Sequence, residues 1–348
     1  MKKMDLKLLN RLMNSYGLSG NEESVREIIK DSIKSHVDTV STDKMGNLIA
    51  NEHVSKGDGK TKVMLAAHMD EIGLMVNSIG KYGRLYLSPI GGVEPLSILG
   101  QKVTIKSKKG NVEGVITVPD LSDGFEIEKL PVLDDMYVET GLNREQLEKI
   151  GIGIGSYVAL TQTSGFLANK DLIYGKALDD RIGCFILIEV AKSVKKAYDD
   201  VFYVFTVQEE VGLYGAKTAA YHISPDWAIA VDTTNTDDTF KNPTKICGGG
   251  PALTYKDFEM ISNRKLNDEI ELLAKKMDIP IQRDVSDMGT TDALSISISR
   301  KGVPSTSLNV PVKNLHSTIG ISSLQDIQDT IDLLRELLKK RIKFSGKW

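Results

Sequence analysis

Two histidines and a group of carboxylates stand where apolar runs end. His68 and Asp70 follow "KVMLAA", Glu209 and Glu210 follow "VFYVFTV", Asp232 follows "WAIAV", and His316 lies in the loop after "TSLNV". Asp179 and Asp180, in "KALDDRIG", sit just before a predicted helix. One at a time, each has an ordinary explanation. A Glu-Glu pair is usually solvated, an acidic pair suits a helix N-terminus, and an aspartate after a strand caps a turn. Their joint position is less ordinary. Parallel strands of an open α/β sheet end at one edge, and ligands bind outside those ends. Acids gathered there repel unless a cation lies among them. Oxygen and imidazole donors without thiolate suit zinc, cobalt or manganese. A divalent ion, or a pair of them, is therefore expected. Glu210 would be a ligand, and Glu209, beside the metal but not on it, the general base. The chemistry is metal-assisted amide hydrolysis: a polarised carbonyl, an acidified water, and a carboxylate that takes the proton and later passes it to the leaving amine.

The elements needed to bring these groups together are legible in outline. Strands alternate with helices at both ends of the chain, which predicts a largely parallel sheet covered on both faces. Helices are expected after "ALDDR", from Ala216, over "NDEIELLAKKMDI" and from Ser323 to the C-terminal region, with Ser323 and Asp326 as a capping pair. Near the N-terminus, Ser19 and Glu22 have capping-box spacing ahead of apolar residues at helical intervals. From about Gly80 to Ile173 short strands are separated by Gly-, Ser- and Lys-rich turns, with one helix at "NREQLEKIGI". The fold expected is an α/β domain built from residues 1–71 and 166–348, interrupted by a small β domain over 72–165.

Composition excludes several other classes. The 348-residue chain is 41% hydrophobic and 26% charged, as in globular proteins, and its formal net charge of −3 argues against nucleic acid as a partner. Two cysteines, Cys184 and Cys247, make neither a disulfide framework nor a thiolate zinc knuckle, which fits a reducing, cytoplasmic setting. No apolar stretch approaches a membrane span, and the N-terminus reads as a poor signal peptide. "GDGKTK" lacks the glycine spacing of a phosphate loop, "GIGIGSY" lacks that of a dinucleotide site, and neither a His-Glu-x-x-His helix nor a Gly-x-Ser-x-Gly elbow is present. Cys184 reads as core packing, and His36, His53 and His222 as surface.

"AAHMDEIGLMV", "GKALDDRIGC", "QEEVGLYGA", "AVDTT" and "LHSTIG", with "GGVEPLSILGQKVTI" between them, resemble the tetrahedral co-catalytic metallo-aminopeptidases. That family includes glutamyl and deblocking aminopeptidases, and some members have been labelled endoglucanases. The resemblance spans nearly the whole chain. It implies a zinc-peptidase-like α/β sandwich with an inserted small β-barrel used in assembly. It implies two divalent ions (Zn, Co or Mn), with His68 and Asp232 on one, Glu210 and His316 on the other, and Asp179 bridging. Glu209 would be the base, and Asp70 would orient the His68 imidazole. "GTTDALSIS" matches a family pattern that makes Thr291 and Asp292 pocket wall. Peptide substrates and a homo-oligomer, commonly a dodecamer, are also implied. Two stretches depart from the pattern: "HSTIGISS" lacks the Pro and acid that often follow the last histidine, and "TVPDLSDGFEIEKLP" lacks the usual Pro and His. The competing chemistry, glycoside hydrolysis, needs two carboxyl groups across one sugar bond. Glu209 and Glu210, adjacent on the chain, are poorly placed for that.

Overall fold

A computed structural model describes residues 4–53, 61–119, 129–194, 197–241 and 243–342. Much of "TVPDLSDGFEIEKLP" and of "GDGKTK" therefore lies outside the described residues. Helices α1 (Leu6–Asn14) and α2 (Glu23–Ile33) open the chain, followed by β1 (Thr39–Thr42), β2 (Leu48–Glu52) and β3 (Lys62–His68). Next come β4 (Gly73–Ile79), β5 (Leu85–Ile90), the short α3 (Pro95–Ile98), β6 (Lys102–Ser107) and β7 (Gly110–Thr117). β8 (Tyr137–Glu139), α4 (Arg144–Ile150) and β9 (Tyr157–Leu160) complete this stretch. The chain then returns to alternation through β10 (Gly165–Phe166), β11 (Leu172–Gly175), α5 (Leu178–Ser193), β12 (Asp200–Thr206), α6 (Tyr214–Ile223) and β13 (Trp227–Asn235). It finishes with β14 (Ala252–Lys256), α7 (Arg264–Met277), β15 (Gln282–Val285), α8 (Asp292–Ser297), β16 (Ser305–Lys313), β17 (Gly320–Ser323) and α9 (Leu324–Leu337).

β4 to β9 close into an antiparallel barrel in the order β4-β5-β8-β7-β6-β9. Alternate residues, including Leu74, Val76, Leu85, Leu87, Val103, Ile105 and Val158, fill its interior, as a small barrel requires. The other described strands form one sheet, β1-β2-β12-β3-β13-β16-β17-β11-β10, with β14 and β15 attached beside β16. The expectation of a largely parallel sheet holds for its centre and for the β14–β15 pair. β12, β3, β13 and β16 run parallel, whereas β1, β2, β17, β11 and β10 pair antiparallel. Short links account for the β1–β2, β10–β11 and β16–β17 pairs, since parallel neighbours need a long crossover.

The central strands are buried on both faces. Val63, Leu65 and Ala67 of β3 join the larger core with α1, α2, α5, α7 and α9, while Met64 and Ala66 face α6 and α8. This is the alternation that a pleated strand imposes. α5 is apolar nearly all round because it lies between the sheet and other helices. Among the described residues, no helix is long and apolar enough to cross a membrane.

Candidate metal centre

β3 ends at His68, and Thr206, the last residue of β12, pairs in register with it. Glu209 and Glu210 therefore emerge beside His68. Asp232 lies inside β13 rather than after it, because that strand continues to Asn235 in register with β16. His316 follows β16 in a turn. Asp179 and Asp180 fall within α5 but have non-helical backbone angles, and the peptide joining them is cis. Three loops at this edge carry non-glycine residues in the left-handed region: Ala177 (φ 51°), Gln208 (φ 55°) and His316 (φ 58°). Such conformations cost energy and persist where surrounding contacts enforce them, often at functional sites.

Nε2 of His68 lies 3.1 Å from Oδ1 of Asp179, 3.7 Å from Oδ1 of Asp232 and 3.9 Å from Oε2 of Glu209. On the opposite side, Nε2 of His316 lies 3.4 Å from Oδ2 of Asp179 and 3.6 Å from Oε2 of Glu210. The two oxygens of Asp179 thus face the two imidazoles. Asp180 is fully buried and differently engaged. Its Oδ2 accepts the His68 N–H at 3.1 Å and its Oδ1 the Gly183 N–H at 2.8 Å.

Asp70 does more than face an imidazole. Nδ1 of His68 is nearer the Asp70 carbonyl oxygen (3.2 Å) than its carboxylate (3.6 Å). The carboxylate accepts N–H bonds from Glu209 (3.0 Å) and Glu210 (3.2 Å) and the Ser19 hydroxyl (2.6 Å). Ser19 was expected to cap α2. Instead, its hydroxyl is committed to Asp70, and α2 starts after Glu22 without a side-chain cap. Thr291 lines the adjoining cavity, while Asp292 lies behind it, its Oδ2 accepting the Thr206 hydroxyl at 2.5 Å. His36, His53 and His222 are exposed; His53 lies 3.8 Å from Asp200. Cys184 is buried, with its thiol donating to the His68 carbonyl.

Burial governs the charges. It pushes the Glu209 carboxyl well above the carboxylate range; His68 opposes this, and Asp232, Asp292 and Glu210 add to it. Burial, reinforced by Asp179, pushes Glu210 up to about 8. Asp292 is pushed up to about 7, again by burial first. Burial also raises Asp179, but hydrogen bonds from His316 and His68 reverse that and hold it far below the ordinary range. His316 is raised to about 9, chiefly by its bond to Asp179.

A cation fits this donor set. Oε1 of Glu210 is buried and has no hydrogen-bond partner among the described residues. Atoms of His68, Asp179 and Glu210 lie within 4.8 Å of one another, as do those of His68, Asp180 and Asp232. The space beside Glu210 and His316 is kept open by glycine. A methyl group at Gly91 would lie 3.0 Å from Oε2 of Glu210, and one at Gly92 2.8 Å from Nδ1 of His316. The "GG" in "GGVEP" shows its reason only when the barrel is folded against the site.

The profile of the M42 glutamyl aminopeptidase family matches residues 46–333. The chain belongs to that family. It is a hydrolase of the aminopeptidase class, and its His, Asp and Glu side chains form a cluster able to hold a metal ion. The M42 chain is 35% identical to the lysyl aminopeptidase of Pyrococcus furiosus, over 97% of each chain. It superposes on the TET aminopeptidase of a marine sediment Thaumarchaeota archaeon with a TM-score of 0.91, at 33% identity and 96% coverage of both chains. The TET1 peptidase of Pyrococcus horikoshii, described as assembling into a tetrahedron or a large octahedral shell, matches with a TM-score of 0.85. Its identity is 30%, over 96% of this chain and 98% of that one.

Proposed function

We propose that this M42 chain removes N-terminal residues from short peptides with two divalent cations and Glu209 as general base. The observation that carries the reading is the placement of Asp179, whose two oxygens face His68 at 3.1 Å and His316 at 3.4 Å. His68 and Asp232 would hold one ion, Glu210 and His316 the other, and Asp179 both. Asp179 is preferred to Asp180 because both Asp180 oxygens already accept backbone N–H bonds. Bound divalent cations supply Lewis acidity, polarising a carbonyl and acidifying water. Zinc, cobalt and manganese all suit the oxygen and imidazole donors.

The chain's own groups do the rest. Glu209, buried at the edge of the cavity, holds the proton taken from water on its carboxylate and delivers it to the departing amine. Asp70 fixes the backbone of Glu209 and Glu210. A cavity of about 1020 Å³ leads away from the site past Thr233, Asp257, Met288 and Thr291 and offers room for a peptide. Both glutamates face histidines, which favours hydrolysis of an amide over that of a sugar bond. We also propose that residues 72–165 form an assembly domain within a homo-oligomer of dodecameric size. The TET1 relative's tetrahedral assembly supports this.

The test is Glu209→Gln. The variant should retain about two divalent ions per chain by elemental analysis yet lose activity on aminoacyl chromogenic substrates by about 10²-fold or more. An active Glu209→Gln enzyme would assign the base elsewhere, and a fully active metal-free wild type would overturn the reading.

A further inference from the structure

The family profile begins at residue 46, yet the site is braced by side chains well upstream of it. The segment after α1 touches both the barrel and the site. Leu18 forms an isolated bridge with Glu71 and packs with Ile90 and Ala159 of the barrel side. Ser19 and Glu22 then turn inward, 7% and 5% exposed. The Ser19 hydroxyl donates to Oδ2 of Asp70 at 2.6 Å, and that same oxygen accepts the Glu210 N–H at 3.2 Å. Oε1 of Glu22 accepts the Gly20 N–H at 2.6 Å and the Gln208 N–H at 3.3 Å. Gln208 is the left-handed residue directly before the glutamate pair. Tyr157 of β9 closes the chain of contacts, its hydroxyl donating to the Ser19 carbonyl at 3.3 Å.

We infer that Ser19 and Glu22 are positioning residues for the reaction, holding the Gln208–Glu210 turn through Asp70 and through the Gln208 N–H. Neither touches the reacting atoms. Ser19 fixes the carboxylate on which the backbone of both glutamates rests, and Glu22 holds the strained residue that aims them. The inference rests on the proposed function, since it assigns Glu209 and Glu210 their roles. Orientation errors on the order of 1 Å at a catalytic group cost rate rather than binding. Loss of either brace should therefore appear in kcat.

The experiment compares wild type with Ser19→Ala, Ser19→Thr, Glu22→Ala and Glu22→Gln, each loaded with zinc, on one aminoacyl chromogenic substrate. The two alanine variants should show kcat reduced about tenfold with KM within about twofold. Glu22→Gln keeps an acceptor oxygen and should recover most of the rate, and Ser19→Thr keeps the hydroxyl. Hydrogen–deuterium exchange should show faster exchange of the Gln208–Gly212 amides in both alanine variants, with melting temperature little changed. Alanine variants with wild-type kcat and unchanged exchange in that turn would overturn the inference. Equal losses in Glu22→Ala and Glu22→Gln would overturn the role of the Glu22 acceptor. A wild type inactive with any added metal would instead strike the proposed function, and the exchange data would still decide whether the brace exists.

Discussion

A methyl group on Gly92 would lie 2.8 Å from Nδ1 of His316, whose Nε2 faces Asp179 and Glu210, so the ring could give way only by leaving those carboxylates. Gly92→Ala should therefore displace His316 and weaken selectively the second of the two proposed metal positions. Titration with a metal indicator should show one tight site remaining and one weakened by about tenfold or more. The same cluster predicts a pH effect. Without a cation, Glu210 and His316 take up protons up to about 8 and about 9 respectively. A cation needs the carboxylate and the neutral imidazole, so binding at pH 7 must release those protons. Affinity should therefore rise with pH through about 8 and about 9. Calorimetry in buffers of different ionisation enthalpy would measure the protons released. That the candidate ligands gather in one place is legible in the sequence, because strand ends share an edge. The reason for Gly91 and Gly92 is not, because it arises from contact between segments more than a hundred residues apart.

Helices and loops meet around one buried ionic group. Arg181, fully buried in the first turns of α5, donates to the carbonyls of Leu12 (2.6 Å), Ser15 (3.3 Å), Gly17 (3.2 Å) and Met69 (2.8 Å). It also lies 3.2 Å from Oε1 of Glu71, whose other oxygen lies 2.5 Å from the Lys176 ammonium. The guanidinium thus ties the end of α1 to the loop after β3, and one carboxylate balances two buried cations. Glu71→Ala would leave both uncompensated, which typically costs about 3–5 kcal/mol. Urea unfolding should show that loss in the midpoint; a shift below about 1 kcal/mol would mean that water or a neighbour takes over the role. The sequence places α5, α7 and α9 by their apolar spacing, and Ser323 does cap α9. Capping patterns misled elsewhere. Ser19 and Asp326 have cap spacing, but Ser19 serves Asp70, and the Asp326 carboxylate accepts the N–H groups of Gly248 and Gly250. A local pattern cannot announce that a distant partner has a stronger claim on the same side chain.

At the scale of the whole molecule, the barrel and the sheet are not independent bodies joined by a linker. Tyr157 and the Gly91–Gly92 turn of the barrel side reach the same edge of the sheet that carries the histidines. Removing residues 72–165 to test assembly would therefore damage the site as well, and point changes on the surface are cleaner. The mouth of the cavity supplies them. Phe240, Val285, Met288 and Ile298 line it and are 71%, 70%, 77% and 66% exposed. Phe258, 67% exposed, is tied to the same rim by its N–H bond to the Gly289 carbonyl. So much exposed apolar side chain around one mouth is uncommon unless another surface covers it. In the proposed homo-oligomer a neighbouring copy would do so, with the cavity opening toward the interior of the assembly. Replacing Phe258 and Met288 together with serine should then lower the sedimentation coefficient toward that of a smaller species. Turnover of a single-residue chromogenic substrate should persist, since neither side chain belongs to the metal cluster. Cleavage of long, folded polypeptides should rise at the same time, because an open site no longer excludes them. An unchanged sedimentation coefficient would remove this rim from the assembly surface.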